Sequence, residues 1–265
     1  MRTTIGVAEI DALIEGGVPR GASILVCGEA GTGKSVLSLE FILAGIREGE
    51  PGVFVTADEP GRVLETAASL GWDLRGAIED GYARIVQVLP PGSPVAAPAA
   101  PAMAAAGVPG GGPGGPGNAP LPMAGQGANG TAAAPMMTGP ASVTVASVID
   151  AVSEIQAERV AIDPPLGPGA GGEAAAAFIA DLLRGVLEET HCTTMITGQR
   201  LHGANGYTRL GIEEQLVDGI VDLRMVEHDG RRQRTLSVRA MHGTQVDLDD
   251  RVFSITAGRG ISISE

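Results

Sequence analysis

The sequence predicts an α/β fold in which a mostly parallel central sheet carries helices on both faces. Short apolar runs, such as Ile24–Cys27 and Val53–Thr56, alternate with longer stretches whose apolar residues recur at helical spacing. Buried strands that alternate with helices are typical of parallel sheets. The last 50 or so residues instead contain paired strand patterns, which predict antiparallel hairpins at the C-terminal end.

The N-terminal elements follow one another with short connections. We predict, in order, a short amphipathic helix within 5–20 that stops at Gly16-Gly17, a strand over Ile24–Cys27, a helix to about Arg47, a strand over Val53–Thr56, a helix through Val63–Leu70 and a strand over Arg84–Val88.

The pattern stops at residues 90–141, where most positions are Pro, Gly or Ala and none is charged or aromatic. Such a segment has little to bury against the entropy of ordering a chain, so we predict a disordered insertion. An Ala/Gly-rich packing segment is the structured alternative. We expect residues 1–265 to form a single domain that this insertion interrupts.

Helices and strands resume after the insertion. We predict a helix through Val148–Ile155, a strand over Arg159–Asp163, a helix over Ala174–Leu187, a strand over Thr193–Thr197 and a mobile loop over 201–210. Two hairpins complete the chain, one with strands Ile220–Val226 and Thr235–Arg239 around Asp229-Gly230, the other with strands Val252–Thr256 and Ile261–Ser264.

A glycine-rich turn joins the first strand to the helix that follows it. Gly28-x-x-x-x-Gly33-Lys34-Ser35 fits the phosphate-binding loop G-x4-G-K-[ST]. The predicted nucleotide-binding residues are Gly28, Glu29, Ala30, Gly31, Thr32, Gly33, Lys34, Ser35 and Val36. Glycines let backbone N–H groups face a polyphosphate, and the start of a helix adds partial positive charge.

Lys34 argues against a glycine-rich turn that matches this pattern by accident. It is the only lysine among the 265 residues, and every other basic side chain is an arginine. A compact ammonium suits the terminal phosphates better than a guanidinium does. The hydroxyl of Ser35 can ligate Mg²⁺.

Acidic residues follow two other predicted strands. Asp163 ends a buried strand, where phosphate-loop folds place an acid that holds Mg²⁺; an aspartate that caps the next turn is the alternative. Asp58 and Glu59 follow the second strand and are catalytic candidates that would polarise the attacking water. A solvated turn ahead of a helix explains these two equally well. Gln199 could sense the terminal phosphate or be an ordinary loop residue.

Composition narrows the class of partner. The chain has 31 acidic and 18 basic residues and a net charge of −13, which disfavours nucleic acid and anionic membranes. We find no apolar run of about 18 residues and no signal-peptide core. Cys27 and Cys192 have neither metal-ligand spacing nor a disulfide framework, so we expect a cytoplasmic protein with no membrane partner.

Six ordered stretches together resemble the KaiC-like branch of the RecA superfamily of ATPases. They are Gly6–Gly21, the phosphate loop, Val53–Glu59, Leu70–Leu74, Gly211–Gly219 and Met241–Thr244. The resemblance implies a RecA-like P-loop NTPase core that binds ATP with Mg²⁺. It also implies a homo-oligomer, often a ring or hexamer, and makes Glu59 the catalytic glutamate.

The chain departs from this family at one functional position. KaiC-like proteins commonly carry Lys-x-Arg-Gly-Thr near the C-terminus, and its two cations reach the γ-phosphate of a neighbouring subunit. Here the same positions are Ala240 and His242. Arg234 or Arg239 could compensate, or His242 could serve when it is protonated, but the loss of such cations predicts slow turnover.

Three functions stay open on the sequence alone. The first is a slow Mg²⁺-dependent ATPase whose nucleotide state controls assembly or an unknown protein partner. The second is an ATP-binding switch with little hydrolysis, similar to the archaellum-motor accessory protein of this family. The third is a recombinase-like, DNA-dependent ATPase, against which the net charge and the scarcity of aromatic residues argue.

Overall fold

The computed structural model describes residues 1–88, 140–163, 172–201 and 206–263. These residues contain the helices α1 (Ala8–Leu13), α2 (Lys34–Glu48), α3 (Pro60–Ser69), α4 (Leu74–Glu79), α5 (Pro140–Ile155) and α6 (Glu173–Thr190). They also contain the strands β1 (Arg2–Thr3), β2 (Val18–Pro19), β3 (Ser23–Gly28), β4 (Gly52–Thr56), β5 (Ala83–Gln87), β6 (Arg159–Ile162), β7 (Thr193–Gln199), β8 (Gly219–His228), β9 (Arg231–Met241), β10 (Arg251–Thr256) and β11 (Gly260–Ile263).

Nine of these strands form one sheet in the order β11-β10-β9-β8-β3-β7-β6-β4-β5. The six strands β8, β3, β7, β6, β4 and β5 are parallel to one another. Strands β9, β10 and β11 extend the sheet with antiparallel pairs. The predicted fold class, a mostly parallel sheet with C-terminal antiparallel hairpins, is confirmed.

Strand β3 occupies the middle of the sheet and is buried on both faces. Its residues alternate between two apolar clusters, since Ile24 and Val26 pack with α1 to α4 whereas Leu25 and Cys27 pack with α5 and α6. Helices therefore cover both faces, as predicted. This central position places the turn after β3 in the middle of the carboxyl edge of the sheet.

The N-terminal segment differs from its prediction. Helix α1 covers only Ala8–Leu13 of the predicted range 5–20, because the short strands β1 and β2 pair on either side of it. The buried Asp11 accepts hydrogen bonds from the backbone N–H groups of Ile5 (2.6 Å) and Gly6 (3.3 Å) and so fixes the entry into the helix. Strands β1 and β2 and helix α4 were not predicted.

Helix α5 corrects the end of the predicted insertion. The insertion was expected to run to residue 141, but the helix begins at Pro140. Proline is well tolerated at the first helical position because that residue has no intrahelical partner for an N–H. Residues 89–139, and with them the predicted disorder, lie outside the described chain.

The predicted C-terminal hairpins are both present. Asp229 (φ 51°) and Gly230 (φ 70°) form the turn between β8 and β9, and β10 pairs with β11.

In the loop predicted to be mobile, 202–205 are outside the described residues, but Thr208 is buried and lies 2.8 Å from carboxylate oxygens of Glu213 and Glu214. None of the helices in the described ranges is long and apolar enough to span a bilayer.

Candidate functional site

The predicted phosphate loop connects β3 to α2, and its backbone adopts conformations that require glycine. Gly31 (φ 80°) and Gly33 (φ 109°) adopt left-handed conformations that side chains disfavour. At Gly28 a Cβ atom would lie 2.4 Å from the backbone oxygen of Leu223. The buried hydroxyl of Thr32 donates to the oxygen of Glu29 (2.8 Å), which closes the loop on itself.

Lys34 extends from the first position of α2 back across the loop. Its Nζ donates to the backbone oxygens of Gly28 (2.9 Å) and Glu29 (2.8 Å). Burial lowers the pKa of Lys34, and the carboxylate of Asp163 opposes this shift. The ammonium is thus held by main-chain carbonyls of the same loop, in a position from which a phosphate could take over those hydrogen bonds.

Asp163 comes directly after β6, and its side chain is 3% exposed. Its N–H donates to the oxygen of Val55 (2.7 Å), which continues the sheet pairing by one residue. Burial raises the pKa of the Asp163 carboxyl, whereas hydrogen bonds from Thr197 and Ser35 and the charge of Lys34 act in the opposite direction. The three residues predicted to hold phosphate and metal therefore meet.

The donor set at this point fits Mg²⁺. A buried carboxylate and a serine hydroxyl are hard oxygen ligands, and Mg²⁺ usually takes one or two carboxylates together with phosphates and water. Within the described ranges, no group of three or more His, Cys, Asp or Glu could hold a metal ion. The two oxygen ligands leave most coordination positions of an Mg²⁺ ion to phosphate oxygens and water.

A cavity of about 100 Å³ lies beside Ser35 and Asp163. Its lining includes Asp58 and Arg62, and Thr56 accepts a hydrogen bond at its hydroxyl from the N–H of Asp58 (3.0 Å). Glu59 is not among the lining residues. It is exposed and occupies the N-cap of α3, without a side-chain capping hydrogen bond. Of the two predicted catalytic acids, only Asp58 faces the cavity.

A second cavity, of about 430 Å³, also has Ser35 in its lining. It is lined by Gly31, Gly33, Lys34, Ser35, Val36, Arg234 and Ile255. Arg234 comes from β9, and its Nε donates to the backbone oxygen of Gly31 (3.2 Å). Ile255 comes from β10 and was not predicted. No local pattern marks it, because it reaches the loop only through the pairing of distant strands.

Arg239 is already paired within the subunit. Its Nε lies 3.4 Å from Asp222, and its terminal nitrogen lies 3.2 Å from Asp250. Ala240 and His242, which stand where KaiC-like proteins commonly have cations, are exposed. Gln199 ends β7 and is also exposed. Of the two arginines that could compensate, Arg234 thus lies at the loop of its own subunit and Arg239 is bound to carboxylates.

Known proteins share the sequence pattern and the fold of this chain. The family model described as the KaiC ATPase matches residues 3–102 and 131–265. A UPF0273 protein of Methanopyrus kandleri is 30% identical over 256 residues, which cover 96% of this chain and 89% of that protein.

Two further relatives extend the comparison. The circadian clock oscillator protein KaiC of Synechococcus elongatus is 31% identical over 267 residues, which cover 99% of this chain but only 44% of the clock protein. A solved structure of a KaiC-like protein from Pyrococcus horikoshii superimposes with a TM-score of 0.74 at 25% identity, and covers 100% of this chain and 99% of that one.

Proposed function

The chain belongs to the KaiC family of ATPases, and on that premise we propose that it binds ATP with Mg²⁺ and hydrolyses it slowly. Its nucleotide state would control self-assembly or the binding of a protein partner. One observation carries this proposal: Lys34 and Ser35 of the phosphate loop meet Asp163, from a distant part of the sequence, at the carboxyl edge of the sheet.

Lys34 would bind the terminal phosphates of ATP. Its ammonium exchanges the carbonyls of Gly28 and Glu29 for phosphate oxygens, which carry far more negative charge. The same charge favours the protonated form of the lysine and so offsets the burial that lowers its pKa. The N–H groups at the start of α2 add to the attraction.

Ser35 and Asp163 are the residues that would hold Mg²⁺. When bound, the ion would neutralise negative charge on the phosphate oxygens. Asp163 contributes through its burial, since a carboxylate shielded from water interacts more strongly with a cation. The hydrogen bond between Ser35 and Asp163 keeps both oxygens on the same side of the loop.

Arg234 and Ile255 suit the nucleotide base. Both line the larger cavity, and a guanidinium plane and an aliphatic side chain are surfaces on which a flat, polarisable ring can pack. We therefore assign this larger cavity to the nucleoside. The smaller cavity beside Asp163 would then take the γ-phosphate and the water that attacks it.

Asp58 is the residue that would orient this water. Its carboxylate lines the smaller cavity together with Ser35 and Asp163, whereas Glu59 is exposed. A general base must lie within reach of the proton that it removes, so position favours Asp58. The sequence resemblance had pointed to the neighbouring Glu59.

A second function, an ATP-binding switch with little hydrolysis, also has specific support. Ala240 and His242 stand where related proteins commonly carry a lysine and an arginine. Cations that stabilise the developing charge during phosphoryl transfer contribute factors of roughly 10³–10⁵ in rate. Without them, bound ATP would persist and the nucleotide-bound form itself would be the signal.

Single-turnover release of γ-phosphate from pre-bound ATP separates the two functions. A slow ATPase releases one phosphate per site, and Asp58→Asn abolishes the release while ATP still binds. Glu59→Gln is the matched control and is expected to release phosphate at a rate close to that of the wild type. Intact ATP after hours in the wild type would instead establish the switch. Loss of release in Glu59→Gln alone would reject the role of Asp58.

The proposed assembly is tested on the same samples. We propose that ATP binding favours a homo-oligomer, and the measurement is the mass of the protein in the presence and absence of MgATP. A mass that stays monomeric in both conditions would contradict this part of the proposal.

A further inference from the structure

The C-terminal hairpin, formed by β10 and β11, reaches the phosphate loop. Ile255 packs directly over Gly33, where a Cβ atom would lie 2.7 Å from its Cδ1 and 3.7 Å from Cε2 of Phe253. Ile255 also lines the larger cavity with Lys34. Any movement of this hairpin away from the domain would therefore open the nucleotide cavity.

Strand β10 pairs with β9 over Arg251–Phe253, and beyond that pairing the turn end of the hairpin, where Ile255 is paired with Ile261, is held on the helices by two hydrogen bonds. The N–H of Gly258 donates to the backbone oxygen of Leu70 (2.6 Å), at the end of α3. The N–H of Ile261 donates to Oε2 of Glu40 (3.1 Å), on α2. Gly260 fits between Glu40 and Trp72, since a Cβ atom there would lie 2.8 Å from the carboxylate and 2.7 Å from the indole.

Glu40 is an unusual residue to carry this contact. It is 6% exposed, and no described residue forms an ion pair with it. Burial raises its pKa to about 7, the N–H of Ile261 and the charge of Arg47 lower it, and the charge of Glu9 raises it. Glu9 is on α1 and Arg47 on α2 itself, whereas Gly260, Ile261 and Trp72 carry no charge. Arg259, in the turn of the hairpin, is exposed.

We propose that the C-terminal hairpin is a proton-controlled clasp over the nucleotide cavity, docked most tightly when Glu40 is protonated. A carboxylate that ionises under the hairpin loses hydration, and it regains that hydration when the hairpin moves away. Because docking favours the protonated form, docking is strongest at low pH and weakens as the pH rises through about 7. The coupling of the clasp to nucleotide rests on the proposed function, whereas the pH-dependent docking of the hairpin does not.

Hydrogen exchange of the Ile261 amide measures the docking directly. In the wild type without nucleotide, we expect its protection factor to fall about tenfold between pH 6 and pH 8. In Glu40→Gln, which keeps the hydrogen-bond acceptor without the charge, protection is expected to be independent of pH. Glu65→Gln, which removes an exposed acid from α3, is the matched control and keeps the wild-type pH dependence.

Two results would overturn the clasp. One is a protection factor at Ile261 that does not change between pH 6 and pH 8 in the wild type, a comparison that needs no variant. The other is an equal change at Val26, in the central strand, because this would report unfolding of the whole domain rather than opening of the hairpin.

The connection to nucleotide has its own test. At saturating MgATP, we expect protection at Ile261 to rise at both pH values, since Ile255 closes over the bound nucleotide. Unchanged protection at Ile261, in a sample whose melting temperature MgATP raises, would overturn the coupling. If MgATP does not raise the melting temperature, the proposed function is contradicted instead. The pH dependence of protection at Ile261 without nucleotide would still test whether the hairpin is a proton-controlled clasp.

Discussion

Each edge of the central sheet holds a basic side chain that is at least half-buried, and the two are held in opposite ways. At the amino edge, Arg159 is fully buried at the start of β6 and stacks on Phe41, with 5.0 Å from its guanidinium carbon to the ring centre. It donates to Glu50 (2.8 Å) and Glu48 (2.7 Å). At the carboxyl edge, Lys34 donates to the carbonyls of its own loop.

The difference separates a structural charge from a functional one. Arg159 also donates to the backbone oxygens of Thr4 (2.7 Å) and Phe41 (3.1 Å), so its fork is satisfied within the protein and leaves no place for a ligand. The two oxygens to which Lys34 donates belong to neutral carbonyls, and a phosphate would be a better acceptor. A half-buried cation whose hydrogen bonds go to neutral groups is where an anionic ligand is expected.

The largest expected effect comes from the amino edge. Arg159→Met should lower the free energy of unfolding by about 3–5 kcal/mol. It leaves the backbone oxygens of Thr4 and Phe41 without their donor, at about 1–3 kcal/mol each, and it removes the ion pairs with the half-buried Glu50 and the exposed Glu48. Urea denaturation measures this loss. Arg75→Met, at an exposed position of α4, is the matched control and should change the stability by less than about 0.5 kcal/mol. Equal free energies of unfolding for the two variants would contradict a structural role for Arg159.

Removal of the basic side chain at the carboxyl edge should have a different result. Lys34→Ala is expected to leave the stability without nucleotide close to that of the wild type. It should abolish the stabilisation by MgATP, which for the wild type is about 2.7 kcal/mol at a ligand concentration of 100 Kd. Thermal unfolding with and without MgATP measures both quantities. Undiminished stabilisation of the variant by MgATP would remove Lys34 from the site.

A smaller effect is expected at Asp163. Since burial raises its pKa, ionised Asp163 costs stability that is recovered as the pH falls through the raised pKa. Asp163→Asn should therefore stabilise the nucleotide-free protein at pH 8, by up to about 1 kcal/mol, and change it little at low pH. It should also weaken MgATP binding. A variant that is less stable than the wild type at pH 8 would show that Asp163 has a structural role.

The sequence predicts one of these edges better than the other. Lys34 and Ser35 lie in a short motif with fixed spacing, and Asp163 follows an apolar strand whose partners are parallel, so neighbouring carboxyl ends had to meet. Arg159 opens the same strand and gives no sign of its burial. Its partners Glu48 and Glu50 are more than 100 residues earlier in the chain and approach it only through the packing of α2 on β6.

Two other features of the site also depend on the folded structure rather than on a short sequence motif. Asp58 and Glu59 are neighbours with the same charge, and only the direction of the backbone as it enters α3 decides which one faces the cavity. Arg234 and Ile255 reach the phosphate loop through the antiparallel strands β9 and β10, whose order in the sheet no local pattern specifies. The sequence therefore predicts the phosphate site, whereas the proposed nucleoside site follows only from the strand pairing.

Calorimetric titration of ATP into the protein, with Mg²⁺ and then with excess chelator, tests the central claim most directly. If Lys34, Ser35 and Asp163 hold a triphosphate together with the ion, binding should weaken at least about tenfold without Mg²⁺, a difference of about 1.4 kcal/mol. Ser35→Ala should lose most of this dependence on Mg²⁺. An affinity for ATP that is the same in Mg²⁺ and in chelator, or no binding in either, would contradict the account.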